Sequence, residues 1–108
     1  MGEPLEITDV NFKTEILESA IPAVVDFGAV WCPPCRALEP IIKDLAGEYE
    51  GRVKIGKMNV DINRETAGQF GIMSVPTLVF FKMGQEIDRM VGLKSKDTIK
   101  VKIDGLLG

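Results

Sequence analysis

The sequence predicts an α/β fold, a three-layer α/β/α sandwich with a central mixed five-stranded sheet. Three observations predict it. Residues 22–27 form a nearly continuous apolar run, as expected of a strand covered on both faces. Strand-like and helix-like periodicities alternate in the order βαβαβαββα, and each β-α-β crossover calls for parallel strands with helices packed on the sheet. The last two strands are joined by a short turn, which adds an antiparallel edge.

Taken in order, Leu5 to Thr8 reads as a short edge strand. A helix capped at Thr8 or Asp9 follows, with Phe12, Ile16 and Leu17 on one face. The strand Pro22 to Phe27 carries a single acidic residue, Asp26. Gly28-Ala29-Val30 then leads into the turn Trp31-Cys32-Pro33-Pro34-Cys35. Pro34 can start a helix, because its missing N–H falls where the first turn has no partner for one. Cys35, Leu38, Ile42, Leu45, Ala46 and Tyr49 keep helical spacing, and Pro40 predicts a kink. In the next strand, Arg52 to Val60, the alternation places Val53, Ile55 and Lys57 on one face. Asn63 is the expected cap of a short helix through about Gln69, and Ile72 to Pro76 is irregular. Thr77 to Lys82 and Glu86 to Val91 form a hairpin around Met83-Gly84-Gln85, with Gly92 ending or bulging its second strand. Ser95 caps a last helix whose apolar residues are Ile99, Ile103, Leu106 and Leu107.

The chain has 108 residues, 45% apolar and 27% charged, which fits one domain over residues 1–108 without repeats or linkers. Thirteen Lys and Arg against 16 Asp and Glu leave a net charge of -3, so neither nucleic acid nor an anionic membrane is an expected partner. No apolar run approaches the roughly 18 residues of a membrane span, and the acidic first residues lack a signal-like apolar core. A soluble, cytoplasmic protein is expected. The absence of histidine excludes imidazole bases, imidazole metal ligands and Cys-His nucleophilic pairs.

The chemistry therefore rests on the two cysteines, Cys32 and Cys35, which lie too close in sequence to staple distant parts of a fold. At a helix N-terminus, free N–H groups and the helix dipole stabilise a thiolate at the first cysteine. Cys32 is then the nucleophile. Cys35, one turn on and expected to be more buried, suits the resolving role. Two blander readings compete: half a zinc site, and two unrelated buried thiols. A structural zinc site wants four ligands, and the chain offers no third cysteine and no histidine. Unrelated thiols leave Pro33 and Pro34 unexplained. Asp26 and Lys57 each interrupt a strand expected to be buried, where an isolated charge is costly. They form either a structural ion pair or a proton acceptor for Cys35 with a modulating neighbour.

Asp26-Phe27, Trp31-Cys32-x-Pro34-Cys35, Pro40, Lys57-x-Asn59-x-Asp61, Val75-Pro76-Thr77, Phe81-Lys82-x-Gly84 and Gly92 stand at the spacings of the thioredoxin family over nearly the whole chain. The sequence resembles that family, and the resemblance implies a thioredoxin fold and a disulfide oxidoreductase. It further implies that Cys32 attacks a substrate disulfide, that Cys35 resolves the mixed disulfide, and that Asp26, modulated by Lys57, handles the Cys35 proton. Pro76 would be cis and face the cysteines, and the Val75 backbone would pair with an extended substrate segment. Trp31, Ile72, Met73, Val75 and Gly92 would supply an apolar docking rim. Expected partners are protein disulfides and an NADPH-dependent thioredoxin reductase, with a monomeric chain, no metal, and no cofactor beyond the redox-active disulfide.

Two departures from the family pattern stand out. Pro33 replaces the usual glycine and stiffens the turn, while Pro34 biases Pro33 toward an extended ψ, so both prolines are candidates for tuning the reduction potential. Gly28 stands where the family usually has tryptophan. If Pro33 destabilises the disulfide, an oxidant or isomerase results. A third possibility is a non-catalytic subunit that uses the thioredoxin surface only for binding.

Overall fold

The apolar sides of these elements meet on the two faces of one sheet. The computed structural model describes residues 2–108. Its five strands are β1 (Leu5–Glu6), β2 (Ala23–Gly28), β3 (Lys54–Asn59), β4 (Thr77–Lys82) and β5 (Gln85–Val91), in the order β1-β3-β2-β4-β5. The β1, β3 and β2 strands run parallel, while β4 is antiparallel to both β2 and β5. On one face, α1 (Pro33–Glu48) and α3 (Lys96–Leu107) bury Leu38, Ile42, Leu45, Ile99 and Ile103 against Val24, Ile55, Leu78 and Phe80. On the other, Phe12, just ahead of a π-helical turn, Lys13–Leu17, and Ile16 within that turn pack with Ile7 on Val25, Phe27, Val79 and Phe81. Phe70, just after α2 (Arg64–Gln69), meets Phe12 and Phe81 edge to face at 5.3 and 5.4 Å. The three-layer sandwich expected from the pattern is the one observed.

Several local expectations are corrected. The first helix is a π-helical turn rather than a capped α-helix, and Thr8 Oγ1 accepts the Val10 and Asn11 amides ahead of it. Asp9 caps a different element: its carboxylate accepts the Glu65 and Thr66 amides at the start of α2. Asn63, the expected cap there, makes no capping bond. Its Oδ1 accepts from the Asp9 amide and its Nδ2 donates to the Asn59 carbonyl. The α1 helix starts one residue early, so both prolines fall in its first turn, and it continues through Pro40 to Glu48. Gln85 belongs to β5, leaving Met83 and Gly84, both at positive φ, as the hairpin turn. The bulge lies opposite Phe80 and Phe81, whereas Gly92, at φ 92°, ends the strand.

Candidate redox site

The site forms where the C-terminal end of β2 delivers the chain to the start of α1. Cys32 is the N-cap of α1, its Sγ accepting the Cys35 amide at 3.2 Å, and the two cysteines are disulfide-bonded with Cα atoms 5.2 Å apart. Sixteen helical residues follow, so the first sulfur lies at the positive end of a long helix.

The two sulfurs do not differ in burial. Cys32 is 3% exposed and Cys35 5%, which overturns the expectation that Cys35 is the more buried. They differ in what they face. Cys32 borders a groove walled by Trp31, Pro33, Pro34, Ile72, Met73 and Val75, and its Sγ lies 3.7 Å from the Val75 carbonyl oxygen. Cys35 borders a separate cavity of about 170 Å³, lined also by Asp26, Gly28, Glu39, Lys57 and Asn59. Ala29 and the Val75 loop pack against the pair, so the first sulfur is covered as fully as the second.

Asp26 is 6% exposed on β2, beside Lys57 on β3 and Leu78 on β4. Its Oδ1 has no hydrogen-bond partner among the described residues. Burial pushes the Asp26 carboxyl up to about 7; the charge of Glu39 adds to the rise and that of Lys57 opposes it. Lys57 is exposed, not buried as its strand pattern suggested. It shares a face with Val53 and Ile55, but that face opens into the cavity beyond the cover of α1. A charged head in the cavity and a stem along the sheet satisfy both demands. Gly28 borders the same space: a Cβ placed there would lie 3.5 Å from Cys35 Sγ and 3.7 Å from Asp26 Oδ1.

Of the expected docking residues, Trp31, Met73 and Val75 reach the groove, as does Ile72. Trp31 and Met73 are 66% and 94% exposed, and the Trp31 indole donates to Asp61 at 2.8 Å, which steadies it beside Cys32. Pro76, after a cis peptide bond from Val75, is buried, and its carbonyl accepts the Gly92 amide at 2.8 Å. Neither Pro76 nor Gly92 lines the groove itself. Val60 and Ser74 in the groove and Glu6 and Glu39 in the cavity carry no signal strong enough to single them out in the sequence. For Glu39, the one available hint is its position one turn after Cys35.

Comparison with known proteins agrees with this geometry. Residues 3–105 match the family model described as Thioredoxin. "Thioredoxin 2" of Chlorobaculum tepidum is 50% identical over 107 residues, covering 99% of this chain and 98% of that protein. "Thioredoxin" of Chlorobaculum thiosulfatiphilum is also 50% identical, covering 99% of each. "Thioredoxin 1" of a Nostoc species is 43% identical over 104 residues, 96% of this chain and 97% of that protein.

Proposed function

The chain belongs to the thioredoxin family and is a thiol-disulfide oxidoreductase that reduces protein disulfides, and from that premise we propose how its residues divide the work. The Cys32 thiolate attacks one sulfur of a substrate disulfide. That bond breaks, a mixed disulfide forms, and the first substrate sulfur leaves as a thiolate. The Cys35 thiol then gives its proton to the Asp26 carboxylate, attacks the Cys32 sulfur and releases the second substrate thiolate. Two electrons have passed to the substrate, and the protein is left as the Cys32–Cys35 disulfide. The division of faces carries this reading: Cys32 borders the groove and Cys35 borders the cavity that holds Asp26.

Trp31, Met73 and Val75 dock an extended segment of the substrate protein, with Pro76 and Gly92 holding the Val75 backbone in place behind it. Pro33 and Pro34 set the stiffness of the turn and so the potential. The disulfide is the only redox group the cycle requires. Its recycling falls to an NADPH-dependent thioredoxin reductase in the cytoplasm, where a monomeric carrier of electrons serves disulfide reduction. No helix among the described residues is long and apolar enough to cross a membrane.

The test is trapping. Cys35→Ser accumulates a mixed disulfide between Cys32 and a disulfide-bearing protein, seen by intact mass; Cys32→Ser accumulates none and reduces nothing. A trap on Cys35 instead would reverse the roles. A potential of about -270 mV supports the reductase direction, and one of about -180 to -120 mV favours oxidation or isomerisation.

A further inference from the structure

The cavity behind the disulfide is lined by Glu39 and Glu6 as well as Asp26. Glu39 follows Cys35 by four residues on α1, which places both side chains on one face of the helix. It lines the cavity against Cys35 and also a second, outer space lined by Asp26, Lys57, Glu3 and Lys43. The groups around Asp26 come from four elements of the fold. Cys35 and Glu39 come from α1, with Lys43 further out; Lys57 comes from β3; Glu6 comes from β1, with Glu3 ahead of it; the β4 neighbour is apolar Leu78. Of these charges, Glu39 raises and Lys57 lowers the proton affinity of Asp26. Lys57 is its register neighbour in the sheet, whereas Glu39 arrives from the helix laid over it.

We propose that Glu39 is a positioning residue for the resolving step, acting on Asp26 through its negative charge from the helix wall of the cavity, against Lys57 on the sheet wall. The inference rests on the reading of Asp26 as acceptor of the Cys35 proton. A base works best when its proton affinity lies close to the working pH. A lone Lys57 would draw Asp26 toward the ordinary carboxylate range and make it a weaker base. Glu39 offsets that pull. Its side chain is solvent-exposed, so its effect is of moderate size and reaches Asp26 chiefly across the cavity. The substrate groove lies on the other side of the disulfide, so a docked substrate leaves this wall uncovered.

The test uses the full oxidised chain with 13C-labelled aspartate carboxyls, and the titration of Asp26 is followed by NMR in wild type, Glu39→Gln and Glu39→Asp. Gln and Glu have similar helix propensity, so the fold is preserved. Glu39→Gln should lower the Asp26 midpoint by about half a pH unit, and Glu39→Asp should keep most of the wild-type value. The acid limb of the pH profile for substrate release from the mixed disulfide should move with it. An Asp26 midpoint unchanged in Glu39→Gln overturns the proposal even if Asp26→Asn slows release. If the midpoint moves but Asp26→Asn leaves the release profile as in wild type, the charge coupling stands. The role of Asp26 then falls, and the part of Glu39 in the reaction falls with it.

Discussion

Replacing Asp26 with Asn should stabilise the oxidised protein, by an amount that grows with pH. The carboxyl is almost fully buried, one of its oxygens is unpartnered among the described residues, and its proton affinity is raised from 3.8 to about 7. Between those values the unfolded chain has released this proton while the folded chain still holds it. The folded state thus binds more protons, and stability falls as pH rises through that window. Below pH 3.8 the stabilising share is fully present; above about 7 it is lost. The loss is about 4 kcal/mol at 1.36 kcal/mol for each tenfold change in proton affinity, an upper figure for a site that can relax when charged. Asn has nearly the same shape and never ionises, so the variant escapes the loss. Urea unfolding of both proteins at about pH 3.5 should give midpoints close together. At about pH 8.5 the Asp26→Asn variant should unfold later by up to about 2–4 M urea, for slopes near 1–2 kcal/mol/M. An advantage that is constant with pH, or that grows as pH falls, would refute the reasoning.

Two further outcomes are expected. Gly56→Val should destabilise the fold by about 2–3 kcal/mol, because a Cβ at Gly56 would sit 2.6 Å from Ile7 Cγ1; an unchanged urea midpoint would show that Ile7 yields instead. Met73→Ala should raise KM several-fold for a protein disulfide while leaving the rate with a small-molecule disulfide unchanged, since Met73 stands 94% exposed on the groove wall. Equal losses with both substrates would remove Met73 from docking and tie it to the reactivity of Cys32.

The parts of the site legible in the sequence are those that break a local pattern. Asp26 and Lys57 interrupt apolar strand faces, and Cys32-Pro33-Pro34-Cys35 opens a helix with two residues that cannot continue one from behind. Such interruptions are visible because a single element's periodicity sets the expectation. Glu39 breaks nothing: a glutamate on the open side of a helix is ordinary, and its meaning appears only once α1 is laid over β2. Lys57 shows the same limit from the other side, since alternation places it on the correct face but cannot show that the end of that face lies uncovered. The equal burial of Cys32 and Cys35 is also out of reach, because helix position alone says nothing of the Val75 loop closing over the first sulfur. The layer order, in contrast, is carried by the apolar run Leu78–Phe81 and, Asp26 apart, by Ala23–Phe27.

The exchange of caps between Asp9 and Asn63 bears on the order in which the molecule assembles. The α2 helix has six residues, too few to persist alone in water, and the amides that open it are held by a carboxylate 56 and 57 residues earlier in the chain. A segment that is local in sequence thereby depends on one of the longest loop closures in the fold. The α2 helix gains its order only as the residues around Asp9 settle beside it, and the return bond from the Asp9 amide to Asn63 makes the dependence mutual. The order of α2 and that of the residues around Asp9 are thus coupled, whereas α1, with 16 residues and its own N-cap at Cys32, depends on neither for its cap.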